Sequence, residues 1–136
     1  MHHEAVRFLT QFKGYWEAMA GSRMPEFGID LYLQEGELIL GDETFRIIET
    51  PGHAPGSICL FWEKEKALFS GDVIFEGSIG RVDLPGGDLN ALIRSIKTLM
   101  EYDIELLLPG HGPYIEGRGA VRENFYLALQ MLNMGI

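Results

Sequence analysis

The stretch Thr50 to Ser57, TPGHAPGS, sets a histidine inside a run that can be neither helix nor strand. Pro51 and Pro55 remove backbone donors while Gly52 and Gly56 permit positive φ, so His53 is held on a tight turn rather than on a regular face. Upstream, Thr44 to Glu49 alternates Phe45 and Ile47 with polar neighbours in the manner of a half-buried strand; downstream, Ile58 to Trp62 is an apolar run of strand length. His53 is therefore expected at the carboxyl end of a strand.

The pattern occurs twice more. In ALFSGDVIF, residues 67 to 75, a short apolar run breaks at Gly71 and sets Asp72 just beyond it. In ELLLPGHGP, residues 105 to 113, the run Leu106 to Leu108 breaks at Pro109 and Gly110 and sets His111 just beyond it. Taken singly, a histidine on a Gly/Pro turn is ordinarily a polar loop residue. Three strand ends carrying His, Asp and His favour a shared cleft, and imidazole nitrogen with carboxylate oxygen is a donor set that suits zinc or ferrous iron.

These segments, together with GSIGRVDLPGGD at 77 to 88, resemble the metallo-β-lactamase superfamily, and within it the glyoxalase II-like branch that hydrolyses acyl thioesters of glutathione. The resemblance runs from about Glu37 to Pro113. It implies an α/β fold, the αββα sandwich, with mostly antiparallel hairpins and covering helices. It implies His53 as a terminal ligand of one metal, Asp72 as the catalytic carboxylate bridging two metals, and His111 as a terminal ligand of the second. Zinc is the expected ion, two per complete site, with iron or manganese as substitutes.

The family's H-x-H-x-D-H segment is not found in the 136 residues, so the chain reads as the C-terminal portion of such a domain, a single truncated unit over 1–136. His2 and His3 are not expected to replace it, because they adjoin no predicted strand. A catalytic zinc normally takes three protein ligands, and two such ions need more than His53, Asp72 and His111 supply. Two readings stay open: one ion held by all three residues, or a half-site whose histidines serve different ions, with the family pattern pointing to the half-site.

Composition narrows the partners. The formal net charge of −9 disfavours nucleic acid and anionic membranes, since phosphate binding relies on clustered Lys and Arg. No apolar run reaches the ~18 residues of a membrane span. Cys59, the lone cysteine, lies in ICLFW and reads as a small buried hydrophobe; without a disulfide partner it fits a reducing, cytoplasmic setting. The expected substrate is a small thioester. A truncated sandwich would also expose a sheet face and edge, inviting a homo-oligomer or a complementing N-terminal segment.

Elsewhere the spacing of Val6, Leu9 and Phe12 predicts a helix over 2–12, followed by an aromatic and Met-rich stretch to Met24 that serves as core packing or as a wall of the substrate pocket. Strands are expected at 30–33, 37–40, 44–49, 58–62, 67–69 and 105–108, with Glu63 to Lys66 a solvated turn. Residues 73–87 hold too many glycines for a regular element. Within them Arg81 is a candidate contact for an anionic substrate group, or else the partner of Asp83 or Asp88 in an ion pair that orders the loop. Asp88 caps an amphipathic helix carrying Leu92, Ile96 and Leu99, and a second helix spans 118–133, ending near Gly135. Three functions follow: a glyoxalase II-like metallohydrolase incomplete on its own, an iron-dependent persulfide-oxidising enzyme of the same fold, and a non-catalytic binding module.

Overall fold

Every strand of the main sheet is built from a short β-rich run closed by a glycine or a charged turn. The computed structural model describes residues 1–133. Six strands form this sheet: β1 (Gly36–Leu40), β2 (Glu43–Glu49), β3 (Ile58–Trp62), β4 (Ala67–Gly71), β7 (Leu106–Pro109) and β8 (Ile115–Glu116), in the order β1-β2-β3-β4-β7-β8. All neighbours are antiparallel except β4 and β7, which run parallel. A parallel pair needs a long crossover, and α3 (Leu89–Leu99) supplies it. Because β4 and β7 point the same way, Asp72 and His111 leave the sheet at the same end.

One face of the sheet carries Ile48, Cys59, Phe61, Leu68 and Leu107, and α3 and α4 (Arg118–Asn133) seal it with Leu92, Ile96, Leu99, Val121 and Phe125. Asp88 begins α3 as foreseen: its side chain accepts from the Ala91 amide at 2.8 Å. The expected end of the second helix near Gly135 lies outside the described residues.

The opposite face bears Phe45, Ile47, Leu60, Trp62, Ala67, Phe69 and Leu108, of which Ile47 and Ala67 are buried. Phe69 is 39% exposed there. Among the described residues no helix is long and apolar enough to cross a membrane.

Several local readings are corrected. The stretch 30–33 forms no strand; only Leu33 pairs, in an isolated parallel bridge with His2. His2 adjoins no strand, as expected, and it serves the fold. Its Nδ1 accepts from the Glu4 amide at 3.2 Å and caps α1 (His3–Gln11), leaving Nε2–H to donate to Glu49 at 2.9 Å. The stretch after it is a second short helix, α2 (Lys13–Ala20), ended by Gly21 in the left-handed region. The charged segment 63–66 is a turn, as expected, exposed over 63–65, and its lysines are paired, Lys64 with Glu43 and Lys66 with Asp103 and Glu105.

Residues 73–87 contain a regular element after all, a small hairpin of β5 (Ile74–Phe75) and β6 (Ser78–Ile79). It is held by Asn124, a buried polar residue on the apolar stripe of α4. The Asn124 carbonyl accepts from the Gly77 amide and its amide donates to the Phe75 carbonyl, both at 2.8 Å. Both side-chain groups are thus satisfied inside the protein, which is the condition for burying an amide. Substituting Asn124→Ala is expected to lower stability in urea unfolding by about 1–3 kcal/mol, the cost of leaving such partners unmade. Unchanged stability would show the clamp to be idle.

Candidate metal centre

His53, Asp72 and His111 come from turns separated by up to 58 positions, yet they meet at the carboxyl end of the sheet. The 50–57 turn is closed by the Thr50 amide donating to Ser57 and anchored to α3 by Ser95 Oγ donating to the Pro51 carbonyl and by the Asp88 amide donating to Gly52. Asp72 and His111 are brought abreast by the Gly110 amide, which donates to the Gly71 carbonyl at 2.7 Å.

The geometry is divided. His53 Nε2 lies 3.7 Å from Asp72 Oδ2, and His111 Nε2 lies 3.2 Å from Asp72 Oδ1. Each imidazole thus faces its own oxygen of one carboxylate. His53 is the more enclosed ring, 25% exposed against 75% for His111, whose edge meets Phe75 at 5.8 Å between centroids.

His53 Nδ1 is bonded at 2.8 Å to the Arg81 carbonyl. A carbonyl only accepts, so Nδ1 carries the proton and, in the neutral ring, the Nε2 lone pair is turned toward Asp72.

Close backbone approach explains two glycines. A Cβ on Gly80 would sit 1.9 Å from the Asp72 carbonyl oxygen and 3.1 Å from His53 Cβ; one on Gly110 would sit 2.7 Å from Asp72 Oδ1. Any side chain at either position would displace the carboxylate or its turn.

These donors fit divalent cations. Two ligands of one tetrahedral zinc, each about 2.0–2.2 Å from it, lie roughly 3–3.5 Å apart. The His111 to Asp72 separation falls in that interval and the His53 to Asp72 separation is slightly wider. Among the described residues no group of three or more His, Cys, Asp or Glu side chains is arranged to hold a metal ion.

Arg81 forks onto Asp83, Nε to Oδ1 at 2.8 Å and Nη2 to Oδ2 at 2.7 Å. Of the two partners the sequence offered for a loop ion pair, Asp83 is the one engaged. Beside His53, an apolar cleft of about 390 Å³ runs between α1, α2 and the 84–85 segment, walled by Phe8, Leu9, Trp16, Pro55 and Leu84. The sequence hinted at this wall through its aromatic run but gave no sign that Phe8 belongs to it. A second cavity, about 210 Å³, lies away from these residues at the start of β7, where Arg118 is committed to Asp103 and Glu105.

Cys59 plays no part in the cluster: it is fully buried, bonded to Thr50 Oγ1 at 3.3 Å, and burial pushes its thiol up to about 12. A thiol so disfavoured as thiolate is neither nucleophile nor ligand at neutral pH.

The family model for the metallo-beta-lactamase superfamily matches residues 1–111, and the chain belongs to that superfamily. It is 42% identical to hydroxyacylglutathione hydrolase GloC of Haemophilus influenzae over 69% of this chain and 46% of that protein. It is 44% identical to acyl-coenzyme A thioesterase MBLAC2 of Gallus gallus over 81% of this chain and 43% of that protein. Among solved structures, TTHA1623 in a di-iron-bound form superposes with a TM-score of 0.71 at 33% identity, covering 85% of this chain and 59% of that one. The chain thus spans less than half the length of these two curated relatives.

The Arg81 guanidinium holds the Asp83 carboxyl down to about 2, from an ordinary value of 3.8. A depressed carboxylate contributes stability above its ordinary value and loses it as pH falls through the folded one, so the pair is expected to open between about pH 4 and pH 2. A carboxyl-detected NMR titration should place the Asp83 midpoint near 2, and Arg81→Ala should return it toward 3.8. A midpoint near 3.8 in the unaltered chain would contradict the pairing.

Proposed function

We propose that this chain is the part of a metal-dependent thioester hydrolase that carries the bridging carboxylate and one terminal imidazole for each of two ions. The observation behind this reading is the division of Asp72, Oδ2 toward His53 and Oδ1 toward His111. That arrangement favours two ions over one shared by all three residues, and so favours hydrolysis over the mononuclear iron alternative. Zinc is the first choice, with iron or manganese as substitutes. Bound there, such cations supply Lewis acidity, which activates water and polarises a carbonyl.

Asp72, His53 and His111 are the residues that would hold such cations, each imidazole beside a different oxygen of the carboxylate. The cleft walled by Phe8, Trp16 and Leu84 lies against His53 and suits the apolar part of an acyl group. The names of the relatives, a hydroxyacylglutathione hydrolase and an acyl-coenzyme A thioesterase, support a thioester as the small-molecule substrate. With two donors per ion from this chain, further ligands are needed for a catalytic site, and a complementing N-terminal segment is the proposed source. A lone buried thiol agrees with a cytoplasmic setting.

The test is thioester hydrolysis, with S-lactoylglutathione and an acyl-coenzyme A assayed in parallel, by the zinc-supplemented chain with and without an added segment bearing H-x-H-x-D-H. Little turnover is expected from the chain alone, and turnover on complementation that Asp72→Asn lowers by roughly two orders of magnitude or more. Full activity of the chain alone, or activity that survives Asp72→Asn, would overturn the proposal.

A further inference from the structure

The Arg81 to Asp83 pair reaches the cluster only through the main chain. Its side chains are 59% and 65% exposed, and exposed ion pairs contribute little to stability. Its position in the loop gives it another use.

The segment before the pair is fixed by the Gly80 amide donating to Val73, and the segment after it by the Gly87 amide donating to Leu84 and the Asp88 amide donating to Gly52. Between these anchors, among the described residues, no main-chain to main-chain bond holds residues 81–83. What holds them is the partial burial of Val82 against the core, the His53 bond to the Arg81 carbonyl, and the two-pronged Arg81 to Asp83 contact across residue 82. A planar guanidinium meeting a carboxylate through two parallel bonds closes a ring over residue 82 and limits rotation of the peptide that carries the Arg81 carbonyl. That carbonyl is the acceptor for His53 Nδ1.

We infer that Arg81 and Asp83 form a clip that aims the Arg81 carbonyl at His53, holding the ring in its Nδ1–H form with Nε2 presented to the ion it shares with Asp72. The inference rests on the hydrolase reading only for the identity of what Nε2 holds. Both are positioning residues, acting through His53, and the clip assigns Arg81 a task other than gripping an anionic substrate group. Outer contacts of this kind set ring orientation and donor strength in metal sites, where removing one typically weakens metal binding 10- to 100-fold.

The experiment uses the chain without metal or substrate for its first readout. Nitrogen-15 NMR of the histidines, taken well above the ordinary imidazole value of ~6.5, should find His53 in the Nδ1–H form. Arg81→Ala and Asp83→Ala should each shift it toward a tautomer mixture, with secondary structure unchanged by circular dichroism. Cobalt(II) titration of the same proteins should show affinity weakened by about 10- to 100-fold, and the exchanged pair, Arg81→Asp with Asp83→Arg, should restore both readouts.

The inference is overturned if the single variants keep the Nδ1–H form and full affinity, or if Arg81→Ala acts while Asp83→Ala does not. It is equally overturned if the exchanged pair restores neither readout. Because the tautomer is read without turnover, a chain that hydrolyses no thioester still reports on the clip, and an idle clip leaves the hydrolase reading standing.

Discussion

The Gly110 amide donating to the Gly71 carbonyl at 2.7 Å is the bond on which the cluster depends. It joins the ends of β4 and β7, the only parallel neighbours in the six-stranded sheet. In an antiparallel pair the residues following the two strands would leave at opposite ends of the sheet. Here the α3 crossover lets both strands finish together, so Asp72 and His111 emerge side by side. The buried apolar residues Leu68 and Leu107, paired directly across the two strands, fix that register from below. The third residue arrives by another route, on a turn lashed to α3 by Asp88 and Ser95, so one helix both makes the crossover and locates His53.

Much of this was legible from local chemistry. The breaks at Gly52, Gly71 and Gly110 announce strand ends, and the polar residue beside each break is the one the structure brings into the cluster. Asp88 as a cap and the apolar stripe of α3 follow from short-range patterns that tertiary contacts reinforce. The features that were missed depend on partners far along the chain. The structural task of His2 had no local sign, because its partners Glu49 and Leu33 lie 47 and 31 positions away. The 74–79 hairpin was hidden behind its glycines, and its support, Asn124, sits in a helix 47 residues on from Gly77. A signal for it existed, since an amide on the same stripe as Val121, Phe125 and Ala128 has to find partners. Parallel pairing of β4 with β7 leaves no mark in either strand, because a run of apolar residues reads alike in both orientations.

The two faces of the sheet differ in how closely they are packed. Beneath α3 and α4 the packing is closed, with Leu92, Ile96, Leu99 and Leu107 fully buried. The face with Leu60, Trp62, Phe69 and Leu108 is apolar in sequence and less evenly enclosed: Phe69 is 39% exposed, while Ile47 and Ala67 on the same face are buried. Gly80 and Gly110 shape the cluster directly, since a Cβ at either position would run into Asp72.

The central claim is that one carboxylate serves two imidazoles through separate oxygens, and nitrogen-15 NMR during a zinc titration of this chain addresses it directly. The Nε2 resonances of both His53 and His111 should move on zinc binding, Nδ1 of His53 should keep its proton, and Asp72→Asn should abolish both movements. Zinc that perturbs only one of the two rings, or that perturbs both equally well after Asp72→Asn, would contradict the account.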